Sequence, residues 1–430
     1  MTHDLQTNTL NTLIEKAKEL DQEDTLAKFR EQFYFPEKNG KKCLYLCGNS
    51  LGLQPGNTQH FVENELRNWR EKGVEGHFTG TRPWVDYHSN AKPFLAELVG
   101  ANEMEVVAMN NLTTNLHLAL ISFYQPQGKR NKILIEKGAF PSDFYATHSQ
   151  IVNRGLDPSV CLVELESADG SDYLPNQEIV DKIKELGEEL ALVMLPGVQY
   201  YTGQFFDIAS ITQGAHDVGA HAGFDLAHTI GNIPLSLHEH KVDFAVWCTY
   251  KYLNSGPGGV GGLFIHENHG LNTAITKLSG WWGHDATARF KMENQINPIP
   301  SVDGWQLSNV NVISHASHLA SLEVFKEAGI ENLRQKSLML TGLLEEAILS
   351  SSTLSKHVKI ITPKDPKERG CQLSIYLINH GREVFDRLID KGVILDWREP
   401  NVIRVAPVPL YNTFSEVIEF AEILETAINE

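Results

Sequence analysis

The stretch from residue 132 to residue 266 limits the fold most. Five short apolar runs recur in it: "KILIE" (132–136), "LALVMLPG" (190–197), "AGFDLAH" (222–228), "VDFAVWC" (242–248) and "VGGLFIH" (260–266). Each is short for a helix and is apolar at successive positions, not at every second one. Such runs fit strands covered on both faces, the condition of a parallel sheet between helical layers. The segments between them carry the helical period. In "NQEIVDKIKELGEEL" (176–190) Ile179, Ile183 and Leu186 share one face, and in "DIASITQGAHDVGAHAG" (207–223) Asp207 stands as the N-cap. Strands alternating with helices predict a large α/β domain, placed at 61–310.

After residue 310 the pattern changes. "HASHLASLEVFKEAGIENLRQKSLMLTGLLEEAIL" has the helical period, with Leu319, Leu322 and Phe325 in one stripe and a break at Gly329. In "QLSIYLI" (372–378) Leu373, Ile375 and Leu377 alternate with Gln372, Ser374 and Tyr376, which predicts a strand with one buried face. "VIRVAPVPL" (402–410) is read as its neighbour. These elements predict a smaller α+β domain over 311–430. Near the start, Leu10, Leu13, Ile14, Ala17 and Leu20 recur at helical spacing. Residues 1–60 are therefore read as a helical segment and arm, the helix packing on the small domain. A chain of 430 residues has room for two such cores.

With 42% hydrophobic and 21% charged residues the composition is that of a soluble globular protein. A net charge of −17 argues against nucleic acid or an anionic membrane surface as partner. The N-terminal residues lack the basic and apolar regions of a signal peptide, and no run reaches membrane-spanning length, so a cytoplasmic location is expected. Five cysteines, an odd number, give no disulfide framework, and Cys43 and Cys47 lack a second pair to complete a zinc site. "HEH" (238–240) and "HASH" (315–318) have no helical i, i+4 pair. They are read as solvated or capping histidines, and no metal site is assigned.

Three features carry chemistry. In "CTYKYLNSGPGG" (248–259) Lys251 ends an apolar strand and precedes a glycine-rich turn that brings backbone close to a ligand. A partly desolvated lysine has a lowered pKa and forms Schiff bases with carbonyls. In "GFDLAH" (223–228) Asp225 ends a neighbouring strand, at the edge where open parallel sheets bind ligands, and an aspartate there can pair with a protonated pyridine nitrogen. In "NNLTTNLHLAL" (110–120) a polar loop runs into a helix, a start that favours phosphate. Each has an ordinary alternative when taken alone: a snorkelling lysine, a turn-forming aspartate, a plain cap.

Together the three follow the plan of fold-type-I pyridoxal phosphate enzymes. The chain resembles the kynureninase family in particular, through "YLCGNSLGLQP" (45–55), "NNLTTNLHL" (110–118), "AFPSD" (139–143), "YYTGQ" (200–204), "GFDLAH" (223–228), "WCTYKYLNSGPGG" (247–259), "GWWGH" (280–284), "RFKM" (289–292) and "IRVAPVPLYN" (403–412). The stretches are in family order and extend over most of the chain.

The resemblance implies a large, mainly parallel α/β/α domain that binds pyridoxal 5′-phosphate and a smaller α+β C-terminal domain. It implies hydrolytic Cβ–Cγ cleavage of L-kynurenine or its 3-hydroxy form to anthranilate or 3-hydroxyanthranilate and L-alanine, in tryptophan catabolism or NAD biosynthesis. Lys251 is implied to carry the cofactor, Asp225 to hold its ring nitrogen, and Tyr250 to approach the phosphate and assist at the substrate carbonyl. Leu112 and Thr113 would supply phosphate donors. Phe140, Pro141, Ser142 and Asp143 would line the ring, with His228 a further contact. Trp281 and Asn309 would reach the cofactor across a homodimer interface. Arg404 is implied to clamp the substrate carboxylate, with Ser50, His77, Ser308 and Asn309 also at the substrate. Pro196 stands where some members have a serine, so that contact is not carried over. Another fold-type-I activity, a cysteine desulfurase or class-V aminotransferase, is the alternative, with Cys371 as the cysteine to examine.

Overall fold

The computed structural model describes the backbone of residues 2–430 and the side chains from residue 10 onward. The five apolar runs form strands, and two more complete a seven-stranded sheet. In chain order these are β1 (Val106–Ala108), β2 (Lys132–Glu136), β3 (Leu162–Leu165), β4 (Leu190–Pro196), β5 (His221–Asp225), β6 (Phe244–Cys248) and β7 (Gly261–Ile265). Across the sheet they run β1-β7-β6-β5-β4-β2-β3. β7 pairs antiparallel with both β6 and β1, and the other pairings are parallel. β1 and β3 escaped the sequence pattern. β1 has three residues, and β3, on the sheet edge, is only partly covered and lacks a continuous apolar run.

The period of two reappears in the packing. Leu192, Met194, Phe244 and Val246 join one core with Leu116 and Leu120 of the helix Leu112–Phe123. Their neighbours Val193, Leu195, Ala245 and Trp247 join another with Ile208 and Ile211 of the helix Ile208–Asp217. Helices on both faces explain why these strands read as unbroken apolar runs. Asp207 caps the second helix, its side chain accepting from the Ser210 N–H at 3.1 Å.

A second sheet holds β8 (Val358–Ile360), β9 (Leu373–Leu377), β10 (Asp396–Arg398) and β11 (Val402–Val405) in the order β8-β9-β11-β10. One face packs with Leu340 and Leu344 of the helix Ile330–Ser350, Leu424 of the helix Phe414–Asn429, and Leu13 and Ala17 of the helix Thr2–Glu23. The other face is polar but not solvated. Ser374 is fully buried, its hydroxyl donating to the Tyr201 carbonyl at 2.6 Å. Alternation here separates an apolar core from a polar seam against the large sheet's loops.

Two histidine readings need correction. His315 and His318 are buried, not solvated. Burial pushes the His318 imidazole down to about 3, so it sits neutral inside the fold.

Trp247 is fully buried and lies opposite Gly262 in the β6–β7 register. A Cβ at position 262 would overlap the indole ring. Gly262→Val is expected to lower the unfolding free energy by about 1–3 kcal/mol, read from the denaturant midpoint. An unchanged midpoint would show that the strand pair shifts freely.

Candidate active site

The carboxyl ends of β2, β4, β5 and β6 meet the first turns of two helices, Leu112–Phe123 and Pro141–Asn153, around one cavity. This is the edge where parallel α/β sheets place ligands. Leu112, Thr113, Phe140, Ser142, Asp143, Asp225, His228, Tyr250 and Lys251 line it. Glu136, Pro196, Val198, Tyr200, Ala227 and Cys248 line it as well. The sequence reading did not place Glu136 or Tyr200 there. Glu136 had one signal, an acidic residue closing an otherwise apolar strand.

Lys251 lies just past β6, in a turn gripped from outside. The Gly52 N–H donates to the Tyr250 carbonyl at 2.8 Å, and a Cβ on Gly52 would collide with the Lys251 carbonyl. The segment bearing Ser50 therefore seats directly on the lysine turn. Lys251 Nζ lies 2.9 Å from His228 Nε2 and 5.7 Å from the Phe140 ring centroid. Burial, reinforced by the Lys251 charge, holds His228 well below the usual imidazole range. A neutral His228 accepts through Nε2, which leaves the proton on Nδ1, a buried atom with no hydrogen-bond partner.

Three buried carboxyl groups share the cavity. Asp225 accepts from the Ala227 N–H at 2.7 Å, and burial raises its pKa. Asp143 is raised further, by burial first and then by the charges of Asp225 and Glu136. Burial pushes Glu136 up to about 8. Asp143 Oδ1 and Glu136 Oε1 are buried without a partner. Such a group of acids favours a cation or a proton donor between them, and a protonated pyridine nitrogen fits that demand.

A phosphate fits the other side. Asn111 caps the helix Leu112–Phe123 and accepts from the Thr114 N–H at 3.0 Å, so the amides of Leu112 and Thr113 are left at the cavity. Gly261 permits this approach, since a Cβ there would meet the Asn111 carbonyl carbon at 2.7 Å.

Arg404 is 1% exposed and stands on the polar seam. Its guanidinium meets Asp396 at 2.6 Å and 3.2 Å, Ser50 Oγ at 3.0 Å and the Tyr200 carbonyl at 2.9 Å. Ser50 also donates to Asp396. The Tyr200 ring stands edge-on to Phe140 at 5.1 Å, which joins this arginine to the cavity. Asp396 was missed in the sequence, although it faces Arg404 in the β10–β11 register.

Five other sequence candidates lie outside the cavity lining. Pro141 opens the helix Pro141–Asn153. His77, Phe78, Phe290 and Trp281 form a chain of rings with centroid separations of 6.1, 6.1 and 5.5 Å. Phe78 and Trp281 are exposed on that surface, and Ser308 and Asn309 are exposed as well. Cys371 has none of the features of a mobile nucleophile. It is buried, its amide donates to Asn232 Oδ1 at 2.9 Å, and burial pushes its thiol up to about 12.

Glu136 holds its proton more tightly in the folded chain than in the unfolded one. Its contribution to stability is therefore full below the ordinary value of 4.5 and is lost as pH rises through about 8. Glu136→Gln is expected to flatten the fall in thermal midpoint across that window. An equally steep fall in the variant would assign the slope to other groups.

Comparisons with known proteins bear on this geometry. Residues 333–424 match the family model described as the kynureninase C-terminal domain. The kynureninase of Flavobacterium psychrophilum is 47% identical over 98% of this chain and 99% of its own. That of Xanthomonas oryzae is 50% identical over 94% and 96%. Among solved structures, the cysteine desulfurase of Thermococcus onnurineus superposes with a TM-score of 0.74 at 17% identity, covering 90% of this chain and 95% of its own. The cysteine desulfurase CsdA of Escherichia coli gives 0.75 at 18%, covering 94% and 98%. At such identities these structures establish a shared fold-type-I α/β architecture and nothing about the reaction. Kinship near one half, over almost the whole of both chains, settles what the fold leaves open: the chain belongs to the kynureninase family.

Proposed function

We propose that the chain hydrolyses the Cβ–Cγ bond of L-kynurenine, and of its 3-hydroxy form, with pyridoxal 5′-phosphate held in the cavity beside Lys251. The observation that carries this reading is the grouping of buried Asp225 and Asp143 with Lys251 and a helix start in one cavity of a full-length kynureninase relative. When bound, the cofactor supplies an aldehyde for an amine and a ring that takes up electrons released at the substrate's Cα.

The residues then have separable tasks. Leu112 and Thr113 would hold the phosphate, Phe140 would cover the ring, and Asp225 would keep the ring nitrogen protonated, with Asp143 and Glu136 behind it. Lys251 Nζ, once the substrate amine has taken its place, is the base for the Cα proton. Neutral His228 receives the Lys251 hydrogen bond and aims the amine. Burial raises the Tyr250 hydroxyl above its ordinary range, so it stays protonated at neutral pH. It is thereby a donor to the substrate's γ-carbonyl oxygen while water adds to that carbon. Breaking Cβ–Cγ leaves the electron pair on the alanyl carbon, which takes a proton, while the aromatic fragment departs as a carboxylic acid. Arg404, fixed in plane by Asp396 and Ser50, matches the α-carboxylate of the substrate.

We also infer a homodimer. His77, Trp281, Ser308 and Asn309 lie outside the Lys251 cavity, His77 half-buried and the others exposed, with His77 and Trp281 in one chain of rings, and a second copy would bring such a surface to the first copy's site. Five free, buried thiols suit a cytoplasmic setting. Among the described residues no helix is long and apolar enough to cross a membrane.

Purified protein given pyridoxal phosphate and L-kynurenine should release fluorescent anthranilate and L-alanine one for one. Alanine formed from L-cysteine, with kynurenine untouched, would overturn the assignment. Lys251→Ala should lose turnover altogether. Arg404→Lys, which gives up paired bonds to the carboxylate, should raise KM for kynurenine by roughly tenfold or more; an unchanged KM would remove Arg404 from the substrate.

A further inference from the structure

At the opposite edge of the large sheet, four side chains from four elements converge. Asp243, directly before β6, is 5% exposed and is anchored by the Ala222 N–H of β5, which donates to Oδ2 at 2.7 Å. His216, in the last turn of the helix Ile208–Asp217, brings Nε2 to 2.9 Å from Oδ2. His221, the first residue of β5, brings Nδ1 to 3.2 Å from Oδ1. His269, in the short helix Glu267–Gly270, brings Nε2 to 2.6 Å from Oδ1. The donor atoms of His221, Asp243 and His269 all lie within 4.8 Å of one another.

A buried carboxylate offers about four acceptor positions, and at Oδ2 the Ala222 amide and His216 take two of them. At Oδ1 two imidazole nitrogens, from His221 and His269, converge on one oxygen. Two imidazole nitrogens and one carboxylate oxygen within 4.8 Å of one another, with water completing the set, are donors that suit a four-coordinate first-row transition ion, zinc above all. The surroundings suit such an ion. The Phe123 ring stands edge-on to His221 at 5.4 Å and to His269 at 4.9 Å, and stacks on Phe244 at 4.9 Å, which makes one wall apolar. The imidazoles are partly exposed, so an ion has a way in, while the carboxylate is fixed.

The cluster of Glu105, His238 and His266 is a weaker arrangement. His266 Nδ1 already accepts from the Asn268 N–H, and Glu105 already accepts from the amides of Asn102 and Glu267. Both carboxylate oxygens of Glu105 thus already hold a backbone N–H.

The geometry points to a structural site for a divalent transition ion, held by His221, Asp243 and His269, with His216 and the Ala222 amide fixing the other oxygen of the carboxylate. The His221 and His269 rings would each bind through the nitrogen now facing Asp243 and carry the proton on the other one. β5 runs from His221 at this site to Asp225 at the cavity, a span of about 13 Å. The ion therefore touches no reacting atom. It ties β5, the entry to β6 and the helix Glu267–Gly270 into one unit beneath the edge that bears Lys251.

The test uses the full chain loaded with pyridoxal phosphate, freed of metal by a chelator and titrated with Zn²⁺ against a chromophoric competitor. One ion per chain should bind, with a rise in the thermal midpoint that Mg²⁺ does not produce. Co²⁺ in place of Zn²⁺ should show the visible bands of a tetrahedral site with no thiolate charge-transfer band. The double variant His221→Gln with His269→Gln should lose both the binding and the rise, with kynurenine turnover retained. Absence of stoichiometric Zn²⁺ binding, undiminished binding in the variant, or a thiolate band with Co²⁺ would each overturn the proposal. The Co²⁺ spectrum decides the matter even if the variant fails to fold. The binding, thermal and spectral readouts do not depend on the activity proposed above.

Discussion

The amine of Lys251 shares one cavity with the buried carboxyl groups of Asp225, Asp143 and Glu136, and the fold around the site is organised by that charge imbalance. Burial alone would neutralise these groups. Burial and mutual repulsion raise the acids, and the same burial keeps His228 neutral against the lysine. Buried atoms without hydrogen-bond partners on Asp143, Glu136 and His228 make the cavity lining polar. Buried polar atoms without partners cost stability, so this cavity is held open by the two cores that flank the sheet.

The seam between the two halves depends on a second charged contact. Arg404 stands on the seam face of the small sheet with Ser374, opposite it in β9, and Asp396, opposite it in β10. The residues of that polar face bond to Tyr200 and Tyr201 carbonyls of the loop after β4 and to Ser50 of the N-terminal arm. Gly52 then locks the arm onto the lysine turn. The Arg404 seam and the Lys251 turn are thus joined through the N-terminal arm, by Ser50 on one side and Gly52 on the other.

How much of this was legible in the chain follows from the range of each interaction. The central strands were visible because residues buried on both faces must be apolar in succession. β1 and β3 were not, since a three-residue strand and a half-covered edge strand leave no such run. Asp225, Lys251 and the helix start at Leu112 were visible as strand-end and cap chemistry, and the family motifs named their neighbours. Glu136 and Asp396 were passed over because a lone carboxylate at a strand end carries no local sign of what lies across from it. His315 and His318 misled for the same reason. Polar type suggested solvent, while the fold placed both in its core.

The sequence by itself determined the central strands and the helices between them, the apolar faces they bury, and the lysine and aspartate at the ends of β6 and β5. These depend on periodicity and short motifs, which are local. Only the tertiary structure decided that Glu136 and Asp143 share the cavity with Asp225, that Asp396 grips Arg404, that His77 and Trp281 lie outside the Lys251 cavity, and that three histidines meet Asp243. Each of those pairs residues far apart in the chain. Electrostatic and coordinative contacts act over a few ångströms in space whatever the separation in sequence, so they become visible only when the chain is folded.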